Sequence, residues 1–130
     1  MKKIGLFLIF LALLILLFIP RKPTSRAGLE FYASPCNMSI SPYNKTNLGI
    51  KEIKWLNETT LQVKAYISIN CAEDIQGGDY EIEGNQITLK YISPKCKEVC
   101  AECMCAHELV FKLFNLEKKD YKFELKRIQE

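Results

Sequence analysis

The chain has 130 residues, enough for one small domain, and carries 18 Lys or Arg against 15 Asp or Glu. Five of the basic residues and none of the acidic ones lie in the first 27 positions, so the other 103 residues hold 13 basic and 15 acidic side chains, a net charge of −2. This balance lacks the basic surplus on which nucleic-acid binding depends, and no nucleic-acid partner is expected.

Residues 1–27 have the composition of a membrane-targeting segment. Two lysines precede an unbroken apolar run, residues 4–19, which ends at Pro20. As a helix these 16 residues would span about 24 Å, against a hydrocarbon core of ~30 Å. The run is therefore short for a spanning helix and long for the core of a signal peptide. Two alternatives stay open: a single-pass signal-anchor in the cytoplasmic membrane with the C-terminal domain outside, or a signal cleaved after Ala27 that leaves a secreted protein.

Residues 28–49 are predicted to be a linker and irregular lead-in, with a short strand at 29–32. Ser, Pro, Asn and Thr are frequent there, as is typical of loops. Three triplets in the chain fit the N-glycosylation acceptor pattern, at Asn37, Asn44 and Asn57. Such triplets also arise by chance, so glycosylation is a hypothesis at this point.

The β domain is predicted to occupy residues 50–130. Residues 50–55 indicate a strand that ends at Trp55, which we expect in the core. After a turn at 57–59, residues 61–69 alternate strictly between apolar and polar side chains, which is the pattern of a half-buried strand. Cys71 would continue the inner face of this strand.

The next segment is predicted to be a hairpin. Residues 73–78 indicate a loop, and residues 80–83 and 86–91 then flank Gly84-Asn85, a dipeptide that suits a tight two-residue turn.

A second clear alternation begins at Cys103. Cys103, Cys105 and His107 fall on one face of an extended strand, followed on that face by leucine and phenylalanine. Both cysteines are therefore expected to point toward the core. Side chains at i and i+2 lie parallel on one face, too far apart to bond each other comfortably, so each should reach a different partner.

A polar turn follows, Leu116-Glu-Lys-Lys-Asp-Tyr121, and residues 121–126 alternate again. A leucine, a short polar loop and a tyrosine that opens the next strand resemble the tyrosine corner of immunoglobulin-like sandwiches. Together with the C-x-C strand, this pattern is similar to small membrane-anchored immunoglobulin-like or fibronectin-III-like proteins of unknown function. The predicted fold is all-β, an immunoglobulin-like sandwich of six or seven strands preceded by one N-terminal hydrophobic helix.

Six cysteines in a chain with an export-type segment predict structural disulfides. The alternation favours Cys71 bonded to Cys103 or Cys105, and Cys96 can pair with Cys100 across a short loop. Cys36 would take a remaining partner. Fifteen pairings are formally open.

The same cluster has two other interpretations. The spacing supplies five soft or borderline ligands for zinc or copper: Cys96, Cys100, Cys103, Cys105 and His107. A Cys–His nucleophile pair would need a third, orienting group that the sequence does not identify, and no enzyme activity is expected.

The sequence therefore predicts a structural or recognition role at the cell surface, without a cofactor. Its partners would be the membrane, through residues 4–19, and a protein or glycan. The alternative is an extracytoplasmic metal-binding or thiol-redox module.

Overall fold

The computed structural model describes residues 28–129, which form seven β-strands and one turn of 3-10 helix at Lys45–Asn47. In chain order the strands are β1 (Gly28–Ala33), β2 (Gly49–Trp55), β3 (Leu61–Asn70), β4 (Gly77–Glu83), β5 (Gln86–Ile92), β6 (Met104–Phe114) and β7 (Lys122–Ile128).

The strands form two sheets that face each other as a sandwich. Four strands pair in the order β1-β6-β3-β2, all antiparallel, and three pair in the order β4-β5-β7. Within the smaller sheet, β4 and β5 form an antiparallel hairpin, whereas β5 and β7 run parallel. The chain therefore changes sheets between β6 and β7.

The core lies between the sheets and follows the alternation seen in the sequence. Every odd-numbered residue of β3 is buried, and its even-numbered neighbours are only half-buried. Phe111 of β6 is the largest fully buried side chain and lies 5.0 Å, between ring centroids, from Phe31 of β1. The other fully buried large apolar side chains are Leu61, Val63, Ile69, Ile87, Leu89, Leu109 and Leu113.

One lateral side of the sandwich is closed tightly. There β1 packs against β4, and Gly78 lies directly against the ring of Phe31. A side chain at position 78 would overlap that ring, so only glycine allows this approach. The prediction of a loop through residue 78 was wrong, because Gly77 and Gly78 open β4.

The two ends of the sandwich differ. The entry end holds residue 28 and the connections 56–60, 84–85 and 115–121, which have five, two and seven residues. The stapled end holds segments 34–48, 71–76 and 93–103, which have 15, 6 and 11 residues, so the two longest connections are here. These segments contain five of the six cysteines, and the sixth, Cys105, lies at the start of β6 beside them. Residues 28–33, expected as lead-in with a short strand, pair with β6 as an edge of the larger sheet.

The predicted signal-anchor or signal peptide, residues 1–27 with its apolar run 4–19 and the cleavage after Ala27, lies outside the described residues. Within residues 28–129, no helix is long and apolar enough to cross a membrane.

Candidate functional site

All three disulfides lie at the stapled end. Cys36 bonds Cys105, Cys71 bonds Cys103, and Cys96 bonds Cys100, with Cα atoms 5.5–5.6 Å apart in each pair. Cys36–Cys105 ties segment 34–48 to β6, Cys71–Cys103 joins segments 71–76 and 93–103, and Cys96–Cys100 closes a loop within segment 93–103. Three disulfides in so small a domain are typical of an oxidising, extracytoplasmic space.

The two cysteines of the C-x-C reach different partners, as their spacing indicated, but they differ in burial. Cys105 is 4% exposed and belongs to the core. Cys103 and Cys71 are exposed, because β3 ends at Asn70 and β6 begins at Met104, so both cysteines lie just past the paired strands. The expectation that Cys103 and Cys71 face the core was therefore wrong. Their backbones still pair, since Cys71 N donates to Cys103 O at 3.0 Å.

The disulfide bonds determine whether the predicted metal ligands can bind a metal ion. Cys96, Cys100, Cys103 and Cys105 carry no thiolate while bonded, and a thiolate is the form that binds zinc or copper. Within residues 28–129, no group of three or more His, Cys, Asp or Glu is arranged to hold a metal ion. A metal site built from these cysteines would require prior reduction.

His107 lies in a groove at the stapled end. The groove has a volume of about 520 Å³ and lies between the end of β1 and segment 73–75. Because the carbonyl oxygen of Ser34 can only accept, Nδ1 of His107 carries the proton and donates it to Ser34 O at 2.8 Å. The residues that line the groove are Tyr32, Ala33, Ser34, Pro35, Glu73, Asp74, Ile75 and His107.

Ser34 fixes one wall of this groove to the sheet. Its N–H donates to Glu108 O, and its Oγ accepts from Glu108 N, both at 2.8 Å. With Tyr32 56% exposed and Asp74 exposed, the groove presents an aromatic ring and a carboxylate on a rigid support. Such a combination suits the binding of a polar ligand.

A buried ion pair lies beneath the loops of the stapled end. Arg127 Nη2 donates to Glu73 Oε2 at 2.8 Å, and the two side chains are 18% and 6% exposed. Arg127 also donates from Nε to Ser93 O at 2.9 Å. Glu73 further accepts from the backbone N–H groups of Asn70 and Cys96. The pair thus joins β7 to segments 71–76 and 93–103 and to the end of β3.

The environment of Glu73 shifts the titration of its carboxyl. Burial by itself would raise the pKa of Glu73, but the hydrogen bonds from Arg127, Cys96 and Asn70 and the guanidinium charge favour the ionised form and lower the pKa below its ordinary value. The carboxylate is therefore held charged where it supports the loops.

All three glycosylation candidates adopt the same local geometry. The Oδ1 atoms of Asn37, Asn44 and Asn57 accept from the backbone N–H two residues on, at 2.9, 3.0 and 2.9 Å. Asn44 and Asn57 are exposed. Asn37 is half-buried, and its own N–H donates to Ala106 O at 2.8 Å.

Comparison with models of protein families, with curated proteins and with solved structures finds no match for this chain.

Sequence reasoning missed the Glu73–Arg127 pair, although a signal for it exists. Arg127 occupies the same alternation phase as Phe123 and Leu125, the phase that faces the core. A charged side chain in an apolar phase indicates a buried partner, because an unpaired buried charge is costly. The groove had no comparable signal, since Tyr32, Asp74 and His107 are distant in sequence.

Proposed function

We propose that this chain is a membrane-tethered extracytoplasmic domain that binds a partner through its stapled end. The observation that supports this is the distribution of loops. The long connections lie at one end, all three disulfides immobilise them, and the chain enters the sandwich at the other end. Binding residues are commonly on loops held by a rigid scaffold.

The entry point also sets the orientation that a tether would impose. Residue 28 pairs with Phe114 at the entry end. If residues 4–19 anchor the chain, residues 20–27 could reach at most about 28 Å from the membrane. The ten residues of β3 extend about 34 Å further. The groove with Tyr32, Asp74 and His107 would then face away from the membrane.

Two features bear on the resemblance to immunoglobulin-like sandwiches. Tyr121 Oη donates to Glu117 O at 2.8 Å where the chain changes sheets, which supports the tyrosine-corner interpretation. The parallel pairing of β5 with β7 departs from the ABED and CFG sheets of immunoglobulin constant domains. We therefore infer an immunoglobulin-like corner within a sandwich of different strand order.

We also propose that Asn44 and Asn57 carry glycans. Both are exposed, and the turn engages Oδ1, so the opposite side of the amide, with the Nδ2 atom that a glycan modifies, is directed away from the turn. Intact mass of protein from its native host should fall by one glycan for each Asn→Gln replacement. An unmodified mass would contradict this proposal.

The binding proposal can be tested by site-specific photo-crosslinking in the native host. A photoreactive phenylalanine analogue replaces Tyr32 in the groove or, as the matched control, Ile82, which is 38% exposed on β4 near the entry end. The expected result is a discrete adduct from position 32 and none from position 82. Adducts at both positions, or at position 82 alone, would contradict binding by the stapled end.

The location and the metal alternative need two further measurements. Alkaline extraction of membranes tests the tether, which predicts that the chain stays in the pellet. Alkylation of native protein with and without reduction, with metal analysis of the same sample, tests the cysteines. Six alkyl groups after reduction and none before are expected. Free thiols with bound zinc or copper would favour the metal-binding alternative.

A further inference from the structure

The two sheets have unequal numbers of strands, and this leaves one strand uncovered. β1 packs against β4, so in order across the sandwich β6 faces β5 and β3 faces β7. β2 then extends beyond the smaller sheet. Its inner-face residues are only partly covered, since Ile53 is 50% exposed and Ile50 and Trp55 are half-buried, whereas the inner residues of β3 are buried.

The edge of the smaller sheet beneath β2 is β7, and its outer side is open. Lys122 N donates to Asn85 O, and Ile128 O accepts from Ser93 N, so even-numbered residues of β7 direct their backbone groups toward β5. Backbone direction alternates along a strand. Phe123, Leu125 and Arg127 therefore direct N–H and C=O outward, and no strand within residues 28–129 pairs with them.

β7 carries two lysines and the inward-facing Arg127, which discourage non-specific edge pairing, but other protecting features are absent from it. It contains no proline, glycine or bulge over its seven residues. β2, by contrast, has a bulge between Ile50 and Glu52. Open edge strands pair readily with further strands unless such features prevent it. A cleft of about 130 Å³ lies between β2 and β7, lined by Ile53, Trp55, Leu61, Lys119, Asp120, Tyr121 and Phe123.

We propose that the position beside β7 and beneath β2 is a docking site for one extended segment of a partner protein, which would complete the smaller sheet as a fourth strand. The added backbone would bond the outward groups of β7, and its inner side chains would cover Ile53 and Trp55. This surface is separate from the groove at the stapled end.

The charges of β7 define the chemistry of that segment. Lys122, Glu124 and Lys126 alternate along the outer face, and all three are exposed. Side chains opposite them in an added strand would be acidic, basic and acidic, because cross-strand pairs of opposite charge are favourable and like pairs are not. In the added strand, the residues between these three charged positions would be apolar. This order reads the same in both directions, so it fits a parallel or an antiparallel segment.

A second copy of this chain fits the site less well. Antiparallel pairing of β7 with its own copy through the outward groups keeps the inner faces on one side of the joined sheet. The β3 strand of the copy would then need the space that β2 occupies. An isolated segment has no second layer and meets no such obstacle.

The test uses the full chain in lipid nanodiscs and synthetic seven-residue peptides. The matching peptide is Thr-Glu-Val-Lys-Val-Glu-Thr, and the charge-inverted control is Thr-Lys-Val-Glu-Val-Lys-Thr. Trp55 is the only tryptophan of the chain and lines the cleft, so its emission reports binding. We expect the matching peptide to shift the emission and to bind at least about tenfold more tightly than the control.

A charge-reversed variant and amide exchange make the test specific. K122E/K126E alters only exposed side chains and should remove the preference for the matching peptide. Amide exchange should slow at Phe123, Leu125 and Arg127 with the matching peptide. The exchange rate should not change at Glu124 and Lys126, the residues between them.

Three results would overturn the proposal. The first is equal affinity of the chain for both peptides. The second is an amide exchange rate at Leu125 that the matching peptide does not slow. The third is light scattering that shows two chains per particle without peptide, since a second copy would then occupy the edge.

Discussion

The disulfides should stabilise the domain unequally, and the order follows from the chain lengths they enclose. Cys71 and Cys103 are 32 residues apart, whereas Cys96 and Cys100 are 4 apart. If a disulfide acts by limiting the unfolded chain, its contribution grows with the logarithm of loop length. For these separations the relation gives about 3.7 and about 1.9 kcal/mol at 25 °C.

The comparison uses two paired variants, C71S/C103S and C96S/C100S. Cys71, Cys103 and Cys100 are exposed and Cys96 is half-buried, so the replacements leave little cavity and no free thiol. The difference of about 1.8 kcal/mol should place the melting temperature of C71S/C103S about 7–14 °C below that of C96S/C100S.

The assay is thermal unfolding of the full chain followed by circular dichroism, with the wild type as reference. The reasoning would be refuted if C96S/C100S lost as much stability as C71S/C103S, or more. That result would mean that the short loop is held by native contacts rather than by the unfolded-state effect.

Three further predictions concern the interior. E73Q removes the charge that pairs with Arg127 and should lower the free energy of unfolding, measured in urea at pH 7, by about 3 kcal/mol. Because the pKa of Glu73 is lowered in the folded state, its contribution to stability is present above the ordinary value of 4.5 and is lost as the pH falls through the lower folded value. E73Q should therefore reduce the dependence of stability on pH in acid, and an unchanged dependence would contradict this. G78A should destabilise by about 1–3 kcal/mol because its methyl group overlaps the ring of Phe31, and F31L should recover part of the loss; additive losses in the double variant would argue against the contact. F111A should cost about 3–5 kcal/mol by thermal melting, as the residue is fully buried, and a loss below about 1 kcal/mol would indicate a loosely packed core.

Elements with a local signal were predictable from the sequence. The alternation of residues 61–69 matches β3, and the turn at Gly84-Asn85 joins β4 to β5. The seven strands in two sheets agree with the all-β prediction. In each case neighbouring residues carry the information, because period and turn chemistry depend on a few adjacent positions.

Features that depend on distant segments were not predictable. The polar turn before Tyr121 indicated a new strand, but nothing in it shows that β7 leaves β6 and runs parallel to β5. Cys71 and Cys103 were placed in the core because the alternation was extended past the ends of the strands. The groove at His107 forms from three segments that only the folded backbone brings together.

The disulfide pattern also has a consequence for biogenesis. The three bonds are nested: Cys36–Cys105 encloses Cys71–Cys103, which encloses Cys96–Cys100. During export from the N-terminus, Cys36 and Cys71 reach the oxidising space before any native partner. An oxidant that joined cysteines in order of arrival would link these two wrongly. Correct maturation therefore requires either oxidation after translocation is complete or an isomerase that reshuffles the first bond.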